Sequence, residues 1–360
     1  MTLELRDVTK RVGAETHIHP VSLVLKPGHF NILLGATNAG KSTLIKLMAG
    51  LERPSSGTIG LEGRDVTRLS PQKRNISLVH QFFVNYPHMT VYDNIASPLR
   101  VLRTGKAEID RRVREAADIL QLGPMLKRRP QELSGGQQQR TALARAIVKE
   151  SRAIFLDEPL ANLDYKLREE LREQLPELLA GRGTVVVYAT SEPTEALLLG
   201  GSTALIHEGR VAQFGPTAAT YRNPASLTAA KVFSDPPVNL ASVTKRGADM
   251  HLENGLSWTV DGAAAGLADG PYMVGIRPHH VTPTPPRAPS VAIEGRVQIT
   301  ELSGSDSIAH FDVGALTWVS LASGIHPYRV GEAHSFHMVP AECFYFATDG
   351  ALVATGGAHG

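Results

Sequence analysis

The stretch GATNAGKS, Gly35 to Ser42, has the residue types and spacing needed to hold a polyphosphate. A glycine, four residues and then Gly-Lys-Ser form the phosphate-loop pattern. Gly35, Asn38, Ala39 and Gly40 offer successive backbone N–H groups to phosphate oxygens, Lys41 reaches the β and γ oxygens, and the Ser42 hydroxyl is a ligand for Mg²⁺. Thr43 follows as the next helix residue and is counted with the nucleotide contacts. The alternative is a glycine turn with no ligand. Context argues against it, because the apolar FNILLG (30 to 35) reads as a buried strand and KSTLIKLMAGL as a helix whose N-terminus faces the loop.

Two further stretches carry chemistry. In AIFLDE the apolar strand ends on Asp157, a carboxylate placed to hold the metal, followed by Glu158, which can polarise a water. Two acidic residues after a strand could also be a helix-capping cluster, so their weight comes from standing downstream of a phosphate loop. LSGGQQQR, Leu133 to Arg140, opens a helix with Ser134, Gly135, Gly136 and Gln137 and is a second anion site made of backbone amides.

The elements that must position these residues fall into two textures. Residues 1–235 read as α/β, with AIFLD (153 to 157) and TVVVYAT (184 to 190) as further buried strands. Ile109, Val113, Ala116 and Leu120 form one apolar helix stripe, and Leu167, Leu171, Leu175 and Leu178 form another, which Pro176 is expected to kink or end. Residues 236–360 break into short alternating segments such as VAIEGRVQITEL and SFHMVPAECFYF, predicting a small all-β domain. SDPPVNL (234 to 240) marks the expected boundary and PTPPRAPS (283 to 290) an exposed connection. His279 and His280 are expected to point to opposite faces of a strand and so to make no metal pair.

Composition excludes some functions. The 360 residues balance 37 Lys plus Arg against 35 Asp plus Glu, and a net charge of +2 gives no nucleic-acid footprint. No apolar run reaches the roughly eighteen residues of a membrane span, and MTLELRDVTK lacks the pattern of a signal peptide, so the expected compartment is the cytoplasm. Cys343 stands alone, which rules out an intramolecular disulfide or a cysteine metal cluster.

LSGGQ between a phosphate loop and an LDEP strand resembles the signature of the ABC transporter ATPases. The resemblance covers nearly the whole chain. It implies a P-loop ABC ATPase domain with a helical subdomain, followed by an OB-like, TOBE-type β domain similar to that of maltose-type sugar importers, whose mark here is GIRPHH (275 to 280). It further implies that two nucleotide domains pack head to tail, each ATP lying between the phosphate loop of one and the LSGGQ of the other. Gln81 then matches the glutamine that contacts metal and attacking water and links to the membrane subunit, and Ala161 to Asp164 match the loop that crosses the dimer interface. Phe82, Phe83, Tyr86 and Tyr92 could dock a permease helix or simply pack in the core.

Two positions depart from the family pattern. Ser191, in ATSEPTEA, stands where the family places a histidine that reaches the γ-phosphate. A hydroxyl is shorter and carries no charge, and losing one such donor costs about 3 kcal/mol, roughly a hundredfold in rate. Val12 stands where the family stacks adenine on an aromatic ring, with His17 or His19 as possible substitutes. Ser191 suggests a heterodimer with a second, histidine-bearing ABC ATPase; the alternative is a homodimer in which ordered water suffices.

The TSEPTEALLLGG variant most resembles one of the paired ATPases of bacterial glycerol importers. The implied setting is the cytoplasmic face of the inner membrane, peripheral to two permease transmembrane subunits and served indirectly by a periplasmic solute-binding protein. Two other readings are a mainly regulatory nucleotide-binding subunit and a soluble ABC ATPase acting on nucleic acid. The second is disfavoured by the single cassette.

Overall fold

The computed structural model describes residues 2–82, 84–161, 163–179 and 183–357. Phe83 and Asn162 lie outside the described residues, as does the side chain of Leu167. The chain divides into two compact units, Met1–Ala218 and Ala219–Gly360.

The first unit opens with β1 (Leu3–Val12), β2 (Glu15–Leu25) and β3 (Phe30–Leu34), then α1 (Lys41–Ala49), β4 (Ser56–Leu61), β5 (Arg64–Asp65), α2 (Pro71–Arg74) and β6 (Ile76–Val79). Three helices follow, α3 (Val91–Val101), α4 (Lys106–Ile119) and α5 (Gly135–Ile147). The unit closes with β7 (Ala153–Asp157), α6 (Tyr165–Leu179), β8 (Val185–Thr190), α7 (Pro193–Leu199), β9 (Ser202–His207) and β10 (Arg210–Pro216). Two sheets result. A four-stranded antiparallel sheet runs β2-β1-β4-β5, and a six-stranded sheet runs β10-β9-β3-β8-β7-β6.

In the second sheet β6, β7, β8, β3 and β9 are mutually parallel. Strands β3, β7 and β8 are buried at every residue. Their unbroken apolar runs therefore reflect a sheet covered on both faces. Because the strands are parallel, the segments after β3, β6, β7, β8 and β9 all leave the same edge. These are the phosphate loop, Gln81, Glu158, Ser191 and Glu208, the arrangement by which open α/β sheets gather a ligand site.

The predicted helix stripes are borne out with one shift. Ile109, Val113, Ala116 and Leu120 are buried. On α6 Leu171 and Leu175 are buried as expected, but Leu179 is buried where Leu178 was predicted. Pro176 does not end α6, which continues to Leu179. The apolar stripe on both sides of the proline holds the helix against the core, and that burial outweighs the one lost backbone hydrogen bond.

The second unit contains two antiparallel sheets. One, ordered β13-β12-β11-β14-β20-β21, is built from β11 (Asn239–Arg246), β12 (Asp249–Leu252), β13 (Ser257–Thr259), β14 (Gly270–Ile276), β20 (Phe344–Phe346) and β21 (Leu352–Thr355). The other, ordered β15-β19-β16-β17-β18, is built from β15 (Val281–Thr282), β16 (Val291–Leu302), β17 (Asp306–Val313), β18 (Leu316–Ser323) and β19 (Ala333–Met338). They share one core around Trp318, Phe311, Phe336 and Tyr345. Residues 283–290 lie between β15 and β16 and form no strand.

The division between units falls earlier than the texture of the sequence suggests. Leu227 and Ala230, on the helix Leu227–Val232, pack against Phe344 and Phe346. The Arg277 guanidinium lies 3.5 Å from the Tyr221 ring centroid and donates to the Tyr221 carbonyl at 2.7 Å. Residues 219–235 thus belong energetically with the β unit.

His279 and His280 correct another expectation. They sit in a 3₁₀ turn, Pro278–His280, with ring centroids 4.2 Å apart, so they do not face opposite sides of a strand. Burial lowers the His279 pKa to about 4, and His280 lies 3.5 Å from Glu342.

Candidate functional site

The site begins where β3 runs out. The Gly35 N–H donates to the Thr190 carbonyl at 3.3 Å, which ties the phosphate loop to the end of β8. A Cβ at Gly35 would stand 2.3 Å from the Ile206 carbonyl oxygen, and one at Gly40, whose φ is 111°, would stand 2.8 Å from Ile18 Cδ1. Both positions therefore require glycine for close packing, and Gly40 also for its backbone conformation. Ala39 is buried inside the loop, and Asn38 adopts φ 67°. The positive φ of Asn38 and Gly40 curls the loop into the start of α1, the form of a backbone anion nest.

Lys41 is 4% exposed and fully engaged. Its Nζ donates to the carbonyls of Gly35 (2.8 Å) and Ala36 (3.0 Å) and lies 3.2 Å from Glu158 Oε1. Gln81 Nε2 donates to Glu158 Oε2 at 3.0 Å. Glu158 itself follows β7 with φ 47° and donates its N–H to the Ala189 carbonyl at 3.0 Å. A non-glycine residue in the left-handed region costs of order 1 kcal/mol and persists where the surroundings fix it. Here that backbone turn aims the carboxylate at Lys41 and Gln81.

Ser42 Oγ donates to Asp157 Oδ1 at 3.0 Å. Burial pushes the Asp157 carboxyl above its usual range, with the charge of Glu158 adding to it and the Ser42 hydrogen bond opposing it. A desolvated carboxylate beside a hydroxyl is a site that gains from a small hard cation. Ser42, Asp157 and the amide oxygen of Gln81 fit Mg²⁺, which is held by few protein oxygens together with water and substrate phosphates. Among the described residues no cluster of three or more His, Cys, Asp or Glu builds an all-protein metal cage.

Lys41, Ser42, Thr43, Gly40, Asn38, Gln81 and Glu158 line one open cavity of about 550 Å³. Three residues at its border were not expected from sequence, namely Thr16, Glu208 and Gly209, and Thr37 of the phosphate loop and His17 join them. Glu208 and Gly209 are the two-residue turn between β9 and β10, both with positive φ, and Gly209 donates its N–H to the Ala39 carbonyl at 2.9 Å. The pair Glu-Gly signals such a turn in the sequence. Its contact with the phosphate loop, 170 residues away, does not show there. Val12 is 51% exposed and does not line the cavity, nor does His19.

Ser191 is exposed and outside the cavity lining, although Thr190 immediately before it is bonded to Gly35. Behind it stands a buried polar cluster. Glu195 accepts hydrogen bonds from Thr190 Oγ1 (2.7 Å) and Tyr188 Oη (3.0 Å), and burial raises the pKa of its carboxyl.

Ser134, Gly135, Gly136 and Gln137 also lie outside that cavity. Ser134 caps α5, with Oγ accepting from the Gln137 N–H at 3.3 Å and Gln137 Oε1 accepting from the Ser134 N–H at 3.0 Å. This is a capping box. Further along α5, Gln139 donates to the Pro159 carbonyl and Arg145 to the Val84 carbonyl, while Asn85 Nδ2 donates to the Gln138 carbonyl at 2.8 Å. The loop after Gln81 is therefore fastened to the helix that carries the signature. Fully buried Asn94 fixes the same loop, accepting from Tyr86 N–H (2.8 Å) and donating to the carbonyls of Tyr86, Met89 and Thr90. Tyr92, half-buried, spends its hydroxyl on Asp110.

Comparison with known proteins adds an independent line. Residues 18–161 match the ABC transporter family model and residues 274–346 the TOBE domain model. The chain is 39% identical over 312 residues to the sn-glycerol-3-phosphate import ATP-binding protein UgpC 3 of Rhizobium etli, covering 87% of each chain. It is 36% identical over 353 residues to the protein UgpC of the same description from Yersinia pestis bv. Antiqua, covering 97% of this chain and 98% of the relative. Among solved structures, a dimeric ATP-binding cassette in a post-hydrolysis state bound to ADP and Pi superposes with a TM-score of 0.55 at 27% identity, over 60% of this chain and 98% of that one.

Proposed function

The chain belongs to the ABC transporter ATPases, and from that premise we propose that it is the energy-coupling subunit of a bacterial importer for glycerol 3-phosphate or a related polyol or sugar. The observation that carries this reading is the similarity to import ATP-binding proteins across both units, with the phosphate loop, Gln81, Asp157, Glu158 and LSGGQ of the family pattern retained while Ser191 replaces its histidine.

In this reading the phosphate loop and Lys41 bind the β and γ phosphates of ATP, and Ser42, Asp157 and Gln81 hold Mg²⁺. The metal, when bound, neutralises phosphate charge. Glu158 accepts the proton of the attacking water, and Gln81 orients that water. For this to happen Lys41 must exchange Glu158 for phosphate oxygens, which frees the carboxylate to act as a base. Ser134, Gly135, Gly136 and Gln137 face the nucleotide of a second ATPase chain. The related cassette solved as a dimer supports this pairing.

Of the two permease subunits in the assembly, one docks beside Gln81 of this chain. Phe82 is 82% exposed, Val84 56% and Val101 83%, and a groove of about 230 Å³ lies between Tyr86, Pro98, Val101 and Leu78. Apolar residues this exposed on a loop fastened to the signature helix suit a permease helix. Among the described residues no helix is long and apolar enough to cross a membrane. In this reading attachment at the cytoplasmic face runs through the surface beside Gln81.

The partner across the dimer is inferred to be a different, histidine-bearing ATPase, because Ser191 is exposed and short of the cavity. The decisive experiment is purification of this chain alone and with the neighbouring ATPase and permeases, followed by MgATP turnover and mass in each sample. Turnover by a one-to-one pair of unlike ATPases supports the reading. Brisk turnover by two copies of this chain removes the unlike partner, and absence of MgATP turnover from every assembly removes the function.

A further inference from the structure

Arg168 lies in the first turn of α6 and bridges two segments that leave the site edge separately. Its Nη1 pairs with Glu192 Oε1 at 3.0 Å, while Nη2 donates to the carbonyls of Ala161 and Leu163, each at 3.4 Å. Glu192 directly follows Ser191 and caps α7, and its N–H donates to Thr190 Oγ1 at 3.0 Å. Ala161 and Leu163 lie three and five residues beyond Glu158, in the segment that joins β7 to α6. One planar fork thus ties the residue after Ser191 to the loop after Glu158.

One turn further along α6, Arg172 makes a useful contrast. It is buried, pairs with Glu169 at 2.8 Å and lies 3.7 Å from Glu195 and 3.9 Å from Glu192, and among the described residues no hydrogen bond to the Ala161 or Leu163 carbonyl accompanies these contacts. Arg172 stabilises the cluster behind β8. Arg168 is the arginine whose bonds span both loops.

We propose that Arg168 is a positioning residue for ATP hydrolysis, holding the Ser191 segment, Ala161 and Leu163 in one fixed relation to Glu158. This rests on the ATPase reading above. The fork has a geometric role that charge alone does not supply, since it holds Glu192 with one nitrogen and the Ala161 and Leu163 carbonyls with another, whereas a lysine ammonium has a single nitrogen for all three. Loss of the relation displaces groups around the γ-phosphate without touching the phosphate loop, so it acts on kcat more than on KM.

The test uses the full chain in its active assembly. Arg168→Lys and Arg168→Gln are expected to lower kcat by about tenfold to a hundredfold, with KM for MgATP within about twofold of the parent. Glu192→Gln keeps an acceptor and is expected to retain most of kcat, whereas Glu192→Ala follows Arg168→Gln. The double variant Arg168→Gln with Glu192→Ala is expected to be no slower than either single change, the non-additivity of one shared contact. Arg172→Lys serves as the structural reference, lowering the melting temperature with a smaller effect on kcat. Unchanged kcat in both Arg168 variants, a loss confined to KM, additive effects in the double variant, or a loss of kcat matched by Arg172→Lys would each overturn the assignment. No MgATP turnover in the parent assembly would remove the ATPase reading and this one with it.

Discussion

Lys41 Nζ lies 3.2 Å from Glu158 Oε1, so the cation proposed to bind phosphate and the carboxylate proposed to activate water are each other's partners. Gln81 holds the second oxygen of that carboxylate at 3.0 Å. The pairing keeps a buried charge compensated and, in the proposed mechanism, makes phosphate entry the event that releases the base. Glu158→Gln is accordingly expected to lower turnover by about 10² to 10⁴ while nucleotide affinity is kept, measured by steady-state kinetics beside equilibrium binding of a fluorescent ATP analogue. Lys41→Ala is expected to lose both.

Asp157 carries a stability signature with a defined sign. Its folded pKa lies above the ordinary 3.8 because of burial. Between 3.8 and that raised value the folded state binds the additional proton, so stability falls as pH rises through this window, and above it the penalty is complete. At neutral pH Asp157→Asn removes the penalty. The variant is expected to melt at a higher temperature than the parent without nucleotide, yet to lose the added stabilisation by MgATP, both read from thermal scans with and without Mg²⁺.

Ser191→His restores a long, chargeable donor at a position bonded through Thr190 to the phosphate loop. If Ser191 limits this chain's own site, kcat rises by up to roughly a hundredfold in the variant. Turnover equal to or below that of the parent would show that the serine, with water, already suffices.

Asn94 is fully buried and satisfies four backbone groups of the loop from Tyr86 to Thr90. Asn94→Ala leaves the Tyr86 N–H and the Met89 carbonyl without this partner, whereas the Tyr86 and Thr90 carbonyls keep backbone donors, at a cost of roughly 2 to 3 kcal/mol of stability. Because the loop carries the side chains proposed to face the permease, uptake in vesicles is expected to fall more than ATP turnover.

In the β unit, Arg277 stacks on Tyr221 and donates to its carbonyl. Arg277→Lys keeps the charge but loses the planar stack, and is expected to lower stability by about 1 to 2 kcal/mol in urea titration. Turnover at saturating MgATP is expected to stay near the parent value.

Much of this protein is determined by local sequence. GATNAGKS between an apolar strand and a helix, LDE after another such strand, and LSGGQ as a helix cap each impose a backbone form through glycine freedom, capping hydroxyls and strand burial, forces that act within a few residues. The helix stripes follow the same logic. Tertiary structure decided what depends on long-range approach. It set Gly209 against Ala39, let α6 run through Pro176, joined residues 219–235 to the β unit, and brought the histidines of GIRPHH side by side. It also closed Lys41 on Glu158 and set Arg168 between two loops, because parallel strands far apart in sequence end at one edge and their side chains must neutralise one another there.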